Sequence, residues 1–495
     1  MSSVSGLVNA VLSKIKVVSV AGRIANVPSI QLSPGQQIVG RDNAAIVFSS
    51  GVDGIQVTSN NMIRDVRLQV EPERRAIFTD PTIQALGEVS ISNVVAVGQV
   101  QILARDKVRS GHVNVEGLDV VAADSRNRPD RPNGYGVDVL QGAFTLWNMQ
   151  SDPSSVLTGR LLNISAGREG APVLGSGVFL CGGGKGEGGR LQVTDLETGV
   201  IFSDGKIPPG TPDMITGGVI VLHGTHVDRV RNRGPVTTYG TNDMVHDLWG
   251  DVGEWIVEGA VTSHGPSGIG FVNFGTIKNL LVTAPIETHG LGARGFNEYD
   301  GMVDTAEFDR IVTFGPGAIG VQISRPVGRL IVHRGIETHG GAGDSLVKGV
   351  VKHLLAYAVS VQPGGSVMEM TVEGGMTTEG DNLTTLQVQD KVARLHVSGG
   401  IRAKGHGSDG IQVEGGTIPL VDLEITAENG VAVKLNKATI TDFRNTKARG
   451  AVGDLVVESD SRVTTGAGSV EELSQGFRNS FKVSGPASLF FAKPS

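Results

Sequence analysis

Two copies of the pentapeptide Ile-Glu-Thr-His-Gly place Glu287 beside His289 and Glu337 beside His339. A carboxylate and an imidazole at alternate positions can move each other's proton affinity towards neutrality, as acid–base chemistry requires. If these phrases stack two strands apart in a parallel sheet, the glutamates stand about 9.6 Å apart between backbones. That separation suits an acid and a base working with a water between them, as in an inverting glycosidase. Related phrases bring Tyr239 and His264 to the same slot. The segments that follow are rich in acids and rings: Asp243, His246, Asp247, Trp249, Asp251, Glu254 and Trp255 in one, Arg294, Glu298, Tyr299, Asp300 and Asp304 in another. We expect these segments to be loops that wall a groove. The catalytic candidates are Glu287, Glu337, Asp247, Asp251, His289 and His339. The substrate-binding candidates are Tyr239, His264, Trp249, Trp255, Arg294, Glu298 and Asp300. The plain alternative is that an outward strand must be polar anyway, and that the repeated phrase records duplication of one coil.

A period positions these residues. The phrases VTTYG, VTSHG, IETHG, IVTFG and IETHG end at Gly240, Gly265, Gly290, Gly315 and Gly340, each 25 residues after the last. The register skips 40 residues, past Val359-Ser-Val361, and resumes at Gly380 and Gly405; Asn429 takes the slot 24 residues later. Glycine and asparagine both tolerate a left-handed backbone, so this slot is expected to be a tight bend. Side chains alternate along a strand. Val236, Val261, Ile286, Ile311, Ile336, Met376, Ile401 and Ile425 form one inward ladder, and Thr238, Ser263, Thr288, Thr313, Thr338, Thr378, Ala403 and Ala427 a second. The residues between them then face out: Thr237 and Tyr239, Thr262 and His264, Glu287 and His289, Val312 and Phe314, Glu337 and His339, Thr377 and Glu379, Arg402 and Lys404, Thr426 and Glu428. A second strand follows the turn, as in Ile411-x-Val413. A third reads as Ile277/Leu280/Val282, Val327/Leu330/Val332, Val392/Leu395/Val397 and Ile418/Val421/Leu423, with an upstream relative at Ile63/Val66/Leu68/Val70. Three short strands per coil of about 25 residues make an all-β, single-domain parallel β-helix.

Composition agrees. Glycine numbers 71 of 495 residues without a period of three, and aromatics are only 4 %, which excludes collagen and suits a turn-rich solenoid. A net charge of −7 gives no basic footprint for nucleic acid. The single Cys181 excludes an internal disulfide framework and a cysteine-rich zinc site. A metal site on His264 and His289 lacks a third ligand fixed by spacing, and no cofactor is expected. Nothing reads as a membrane span. Residues 1–16 read as an amphipathic capping helix with Ser2 or Ser3 as N-cap, residues 17–465 as the β-helix, and 466–495 as a C-terminal cap carrying Val470, Leu473, Phe477 and Phe481. With no leader pattern the chain is expected to be cytoplasmic, or secreted if a leader was removed. Residues 182–189, GGGKGEGG, lack the final Ser or Thr of a phosphate loop and read as a flexible connection. The polar stretch 122–136 is a long excursion suited to walling a groove or meeting a partner. Asn163-Ile-Ser165 matches a glycosylation sequon.

At the level of fold, the coils and the opening IQLSPGQQIVG resemble the right-handed β-helix (pectate-lyase-like) superfamily of carbohydrate-active enzymes. The polygalacturonase set of motifs is not present in order. Gly405-His406-Gly407 lacks its acidic partners, so no role is carried onto it. The resemblance implies an enzyme that hydrolyses, transfers or eliminates at a glycosidic bond of an oligo- or polysaccharide. The alternative is a non-catalytic structural or adhesive solenoid, such as a surface or phage tail component. A homotrimer with its site between chains is the third expectation.

Overall fold

The computed structural model describes residues 1–347, 350–458, 461–465, 481–484 and 490–492. Most of the expected C-terminal cap, including Val470, Leu473 and Phe477, lies outside the described residues. The chain divides into two compact units, Met1–Ala260 and Val261–Ser495. Each is a stack of parallel strands, an all-β parallel solenoid. Among the described residues no helix is long and apolar enough to cross a membrane.

In the second unit a coil passes through three short strands, for example Thr276–Val282, Ile286–Thr288 and Arg294–Glu298. Each pairs in parallel with its counterpart in the next coil. Ile286 pairs with Ile311, then Ile336, Met376, Ile401 and Ile425. Those side chains and the Thr288, Thr313, Thr338 and Thr378 ladder are buried, as the alternation required. The 40-residue skip is an ordinary coil with an antiparallel hairpin inserted, Ala342–Val347 paired with Val350–Leu355. After it, Val359 resumes the stack on Val321. One inward residue differs from expectation: Leu420, not Val421, is buried. A register shift lies between Ile418 and Leu420, and Asp422 at φ 56 reverses the chain just beyond.

The repeating glycine also differs from expectation. Gly290, Gly315, Gly340 and Gly405 are not left-handed; the left-handed residues come two places later, at Ser267, Gly292, Gly317, Asn382 and Gly407. Glycine is needed in the slot because coils approach closely there. A Cβ on Gly315 would stand 1.9 Å from the Gly290 carbonyl oxygen, and one on Gly405 1.9 Å from that of Gly380. Asn429 meets the same backbone differently, its amide donating to the Lys404 carbonyl at 2.9 Å.

The first unit uses longer strands that bend within a coil, such as Met62–Gln69, Ala85–Val97, Ser110–Ala122 and Val156–Ala166. Left-handed Asp65, Asn93, Gly117 and Asn163 mark the bends. Asn93 donates its amide to Asp65 Oδ1 at 3.1 Å, so asparagine serves the turn and also links coils. At the N-terminus a helix spans Val4–Leu12; the Ser3 hydroxyl caps it by accepting from Gly6 N, and Leu7, Ala10 and Val11 are buried.

Candidate functional site

The strip of the second unit forms, with the expected alternation. His264, His289 and Phe314 are exposed beside buried Ser263, Thr288 and Thr313. Four rings stack along it: His264 on His289 at 5.1 Å and 14°, His289 on Phe314 at 4.8 Å and 1°, Phe314 on His339 at 4.9 Å and 9°. The stack continues as an ionic chain, His339 Nδ1 lying 2.6 Å from Glu379 Oε2 and Lys404 Nζ 3.0 Å from Glu379 Oε1. His339 and then Lys404 hold the Glu379 carboxyl below its usual range. Burial, aided by His289, lowers the proton affinity of His264.

This order limits the strip's chemistry. A sugar packs on the face of an aromatic ring, but the faces of His289 and Phe314 are occupied by their neighbours, so only ring edges reach solvent. The two glutamates flank one row, since Val312 pairs with both Glu287 and Glu337, and Val312 is only 3 % exposed. Glu337 Oε2 accepts from Arg310 at 2.9 Å, while Glu287 Oε2 lies 4.0 Å from His289 Nε2.

The acid-rich segments are strands rather than loops, and most of their polar side chains are hidden. In the first unit the strand Asp243–Leu248 is buried throughout. His246 points inward and meets Trp255 edge-on at 5.7 Å; Trp255 is a core residue whose indole donates to Asn232 Oδ1 at 2.7 Å. Burial pushes the Asp247 carboxyl up to about 8, against the opposing bond from Trp249. Burial likewise raises Asp243 to about 7, although Gly205 and Gly240 N–H groups donate to it. Trp249 is covered by the 122–136 excursion, whose hairpin (Asn133–Gly134 with Val137–Val139) puts Tyr135 edge-on against it at 5.2 Å; Tyr135 also lies 5.4 Å from the His223 ring, tilted at 35°. Of the candidates in this unit, Asp251 is exposed and bonded to His226 at 2.6 Å, and Tyr239 is partly exposed.

In the second unit Glu298 and Arg294 share the strand Arg294–Glu298 but face opposite ways, because Gly295 as well as Phe296 turns inward, a Cβ on Gly295 meeting the Ile311 side chain, and the alternation is broken there. Glu298 pairs with Ile323 in an inward column that continues through Val361 and Val388. Its carboxylate accepts from the Asn273 amide at 2.9 Å, and burial pushes it up to about 8. Arg294 faces outward yet is 1 % exposed, with Nε on Gln322 Oε1 at 3.2 Å. Asp300 is tied to Arg325 at 3.1 Å, and Asp304 is exposed. None of these expected substrate contacts joins the ring strip. Among the described residues no three His, Cys, Asp or Glu side chains group as a metal site.

A polar row that the sequence pattern does not single out lies on this same sheet. Asn297, Gln322, Ser360, Gln387 and Gln412 pair in turn as one row alternating with the core residues; Gln322 and Gln412 are half-buried, while Asn297, Ser360 and Gln387 are buried. Ser360 Oγ donates to Gln387 Oε1 at 2.8 Å, Gln362 to Ser360 at 2.6 Å, and Gln387 to the Tyr357 hydroxyl at 3.2 Å. Tyr299 stacks on Phe274 at 4.9 Å and 12° beside the row. The signal was present in the unnamed middle residue of the phrase Ile411-x-Val413, which is Gln412. No family model matches the chain, and no curated protein or solved structure matches it.

Proposed function

We propose that the protein binds an oligo- or polysaccharide along the amide-lined outer face of its second unit, as a member of the pectate-lyase-like superfamily. The observation that carries this is the row Asn297–Gln322–Ser360–Gln387–Gln412 with Tyr299 and Tyr357 beside it. Carboxamides offer a donor and an acceptor at one site, matching the paired donor and acceptor character of sugar hydroxyls. Successive rows at about 4.8 Å repeat that offer along a polymer, and tyrosines supply a ring and a hydroxyl together. Affinity electrophoresis of the full chain against a panel of neutral and charged polysaccharides tests it. Retardation by at least one polymer, reduced in Gln322→Ala/Gln387→Ala, is the expected result; equal mobility in every gel contradicts it.

Glycosidic cleavage at the ring strip is the second reading, favoured by the two-row separation of Glu287 and Glu337. Its test is release of reducing ends or unsaturated products, abolished separately by Glu287→Gln and Glu337→Gln.

A further inference from the structure

Arg294 is the largest charged side chain fully enclosed in the second unit, and the described residues give it no carboxylate partner. Its guanidinium donates from Nε to Gln322 Oε1 at 3.2 Å and from Nη1, at a long 3.4 Å, to the Gly292 carbonyl. Nη2 is buried with no hydrogen-bond partner. Burying a cation without a counter-charge costs several kcal/mol, and guanidinium groups are normally enclosed only with an anion. Glu298, on the same strand, cannot serve: it faces the core, and its state is governed by burial, Asn273, the Gly301 N–H and Asp300.

The surroundings of Nη2 complete a cradle. Gln322 is the register partner of Asn297, so the bond to Gln322 carries the guanidinium over the row that Asn297 occupies. The Asn297 amide is fully buried, and both its nitrogen and its oxygen lack a partner. Burial pushes the Tyr299 hydroxyl above its usual range, and Arg294 lies close enough to oppose that rise. One side is closed by the inserted hairpin, whose Ser345 hydroxyl donates to the same Gly292 carbonyl at 2.8 Å. Tyr299 and Gln322 are only partly buried.

We propose that Arg294, Asn297 and Tyr299 form a binding site for one small oxyanionic group, such as phosphate or sulfate, free or carried on a larger molecule. Arg294 supplies the charge and a fork of N–H donors, and Asn297 a neutral donor. The site shares Asn297 with the amide row, and Gln322 of that row holds Arg294, but it needs no sugar there, so anion binding in the unaltered chain and polysaccharide binding can each be present without the other.

Titration calorimetry on the full chain tests it, with inorganic phosphate, sulfate and glucose 6-phosphate as probes and glucose as the neutral control, at fixed ionic strength. Saturable binding of at least one anion, and none of glucose, is expected. Glucose 6-phosphate binding more tightly than phosphate would show that the group is carried on a sugar; the reverse would show a free ion. Arg294→Met should lose the heat while keeping the far-ultraviolet spectrum of the strands. Asn297→Ala, which keeps the cation, should weaken binding by about tenfold, the loss of one charge-assisted hydrogen bond. No saturable heat from any of the three anions, or an unchanged dissociation constant in Arg294→Met and Asn297→Ala, would overturn the proposal.

Discussion

Two outward faces of the second unit invite comparison: the ring strip His264–His289–Phe314–His339 and the amide row Asn297–Gln322–Ser360–Gln387–Gln412. Both are built by the same device, one kind of side chain, a ring or a neutral polar group, repeated at one register position. They differ in what the repetition leaves over. On the strip, ring meets ring at 4.8–5.1 Å and the charges continue as His339–Glu379–Lys404, so each group is directed at its neighbour along the stack. On the amide row a side chain has more donors and acceptors than its neighbours use, and Asn297 uses none of its own. A stack that satisfies itself reads as scaffold, and a row with capacity left over, reached from solvent at half-buried Gln322 and Gln412, reads as a place for a ligand.

The largest expected effect comes from breaking the spacing that both faces share. Gly315→Ala puts a Cβ 1.9 Å from the Gly290 carbonyl and should cost about 3 kcal/mol, since backbone must move to relieve an overpacked contact. A lowered urea midpoint checks this, and an unchanged one would show that the coils have slack at the slot.

The hidden acids should come next. Burial raises Asp243, Asp247 and Glu298 to about 7, 8 and 8 in the folded chain, well above their ordinary values of 3.8, 3.8 and 4.5. Between those limits the unfolded chain has released the proton and the folded chain still holds it. Their stabilising contribution is therefore complete below about pH 4 and is lost as pH rises to about 8. The thermal midpoint should fall across that window, and Asp247→Asn or Glu298→Gln should flatten the fall. A midpoint that rises over the same range would contradict the burial of these carboxyls.

The smallest effect separates the two faces directly. Phe314→Ala removes two stacked contacts from a residue 41 % exposed, and should cost about 1 kcal/mol of stability. It should leave polysaccharide mobility unchanged, whereas a loss of binding would return the strip to the ligand.

The coils were legible because the pattern that encodes them is local. Val236 to Ile425 and Thr238 to Ala427 each carry their inward position in a five-residue phrase, and all of them are buried. The strip was legible for the same reason. What covers Asp247 and Arg294 was not, because the covering groups are distant in sequence. Tyr135 reaches Trp249 from the 122–136 excursion, and Ser345 reaches Gly292 from an inserted hairpin. A charged residue type suggests solvent until such a segment is placed over it. The amide row escaped for a simpler reason. Its members, Asn297, Gln322, Ser360, Gln387 and Gln412, are neutral residue types that suggest no reaction.

Comparing two double variants in one affinity gel tests the central distinction most directly. Gln322→Ala/Gln387→Ala should lose most of the retardation by a bound polysaccharide, about thirtyfold in affinity at roughly 1 kcal/mol for the hydrogen bond each glutamine gives up. Glu287→Gln/Glu337→Gln should match the unaltered chain. Retention of binding by the glutamine pair, with loss in the glutamate pair, would place the ligand on the ring strip and contradict the account.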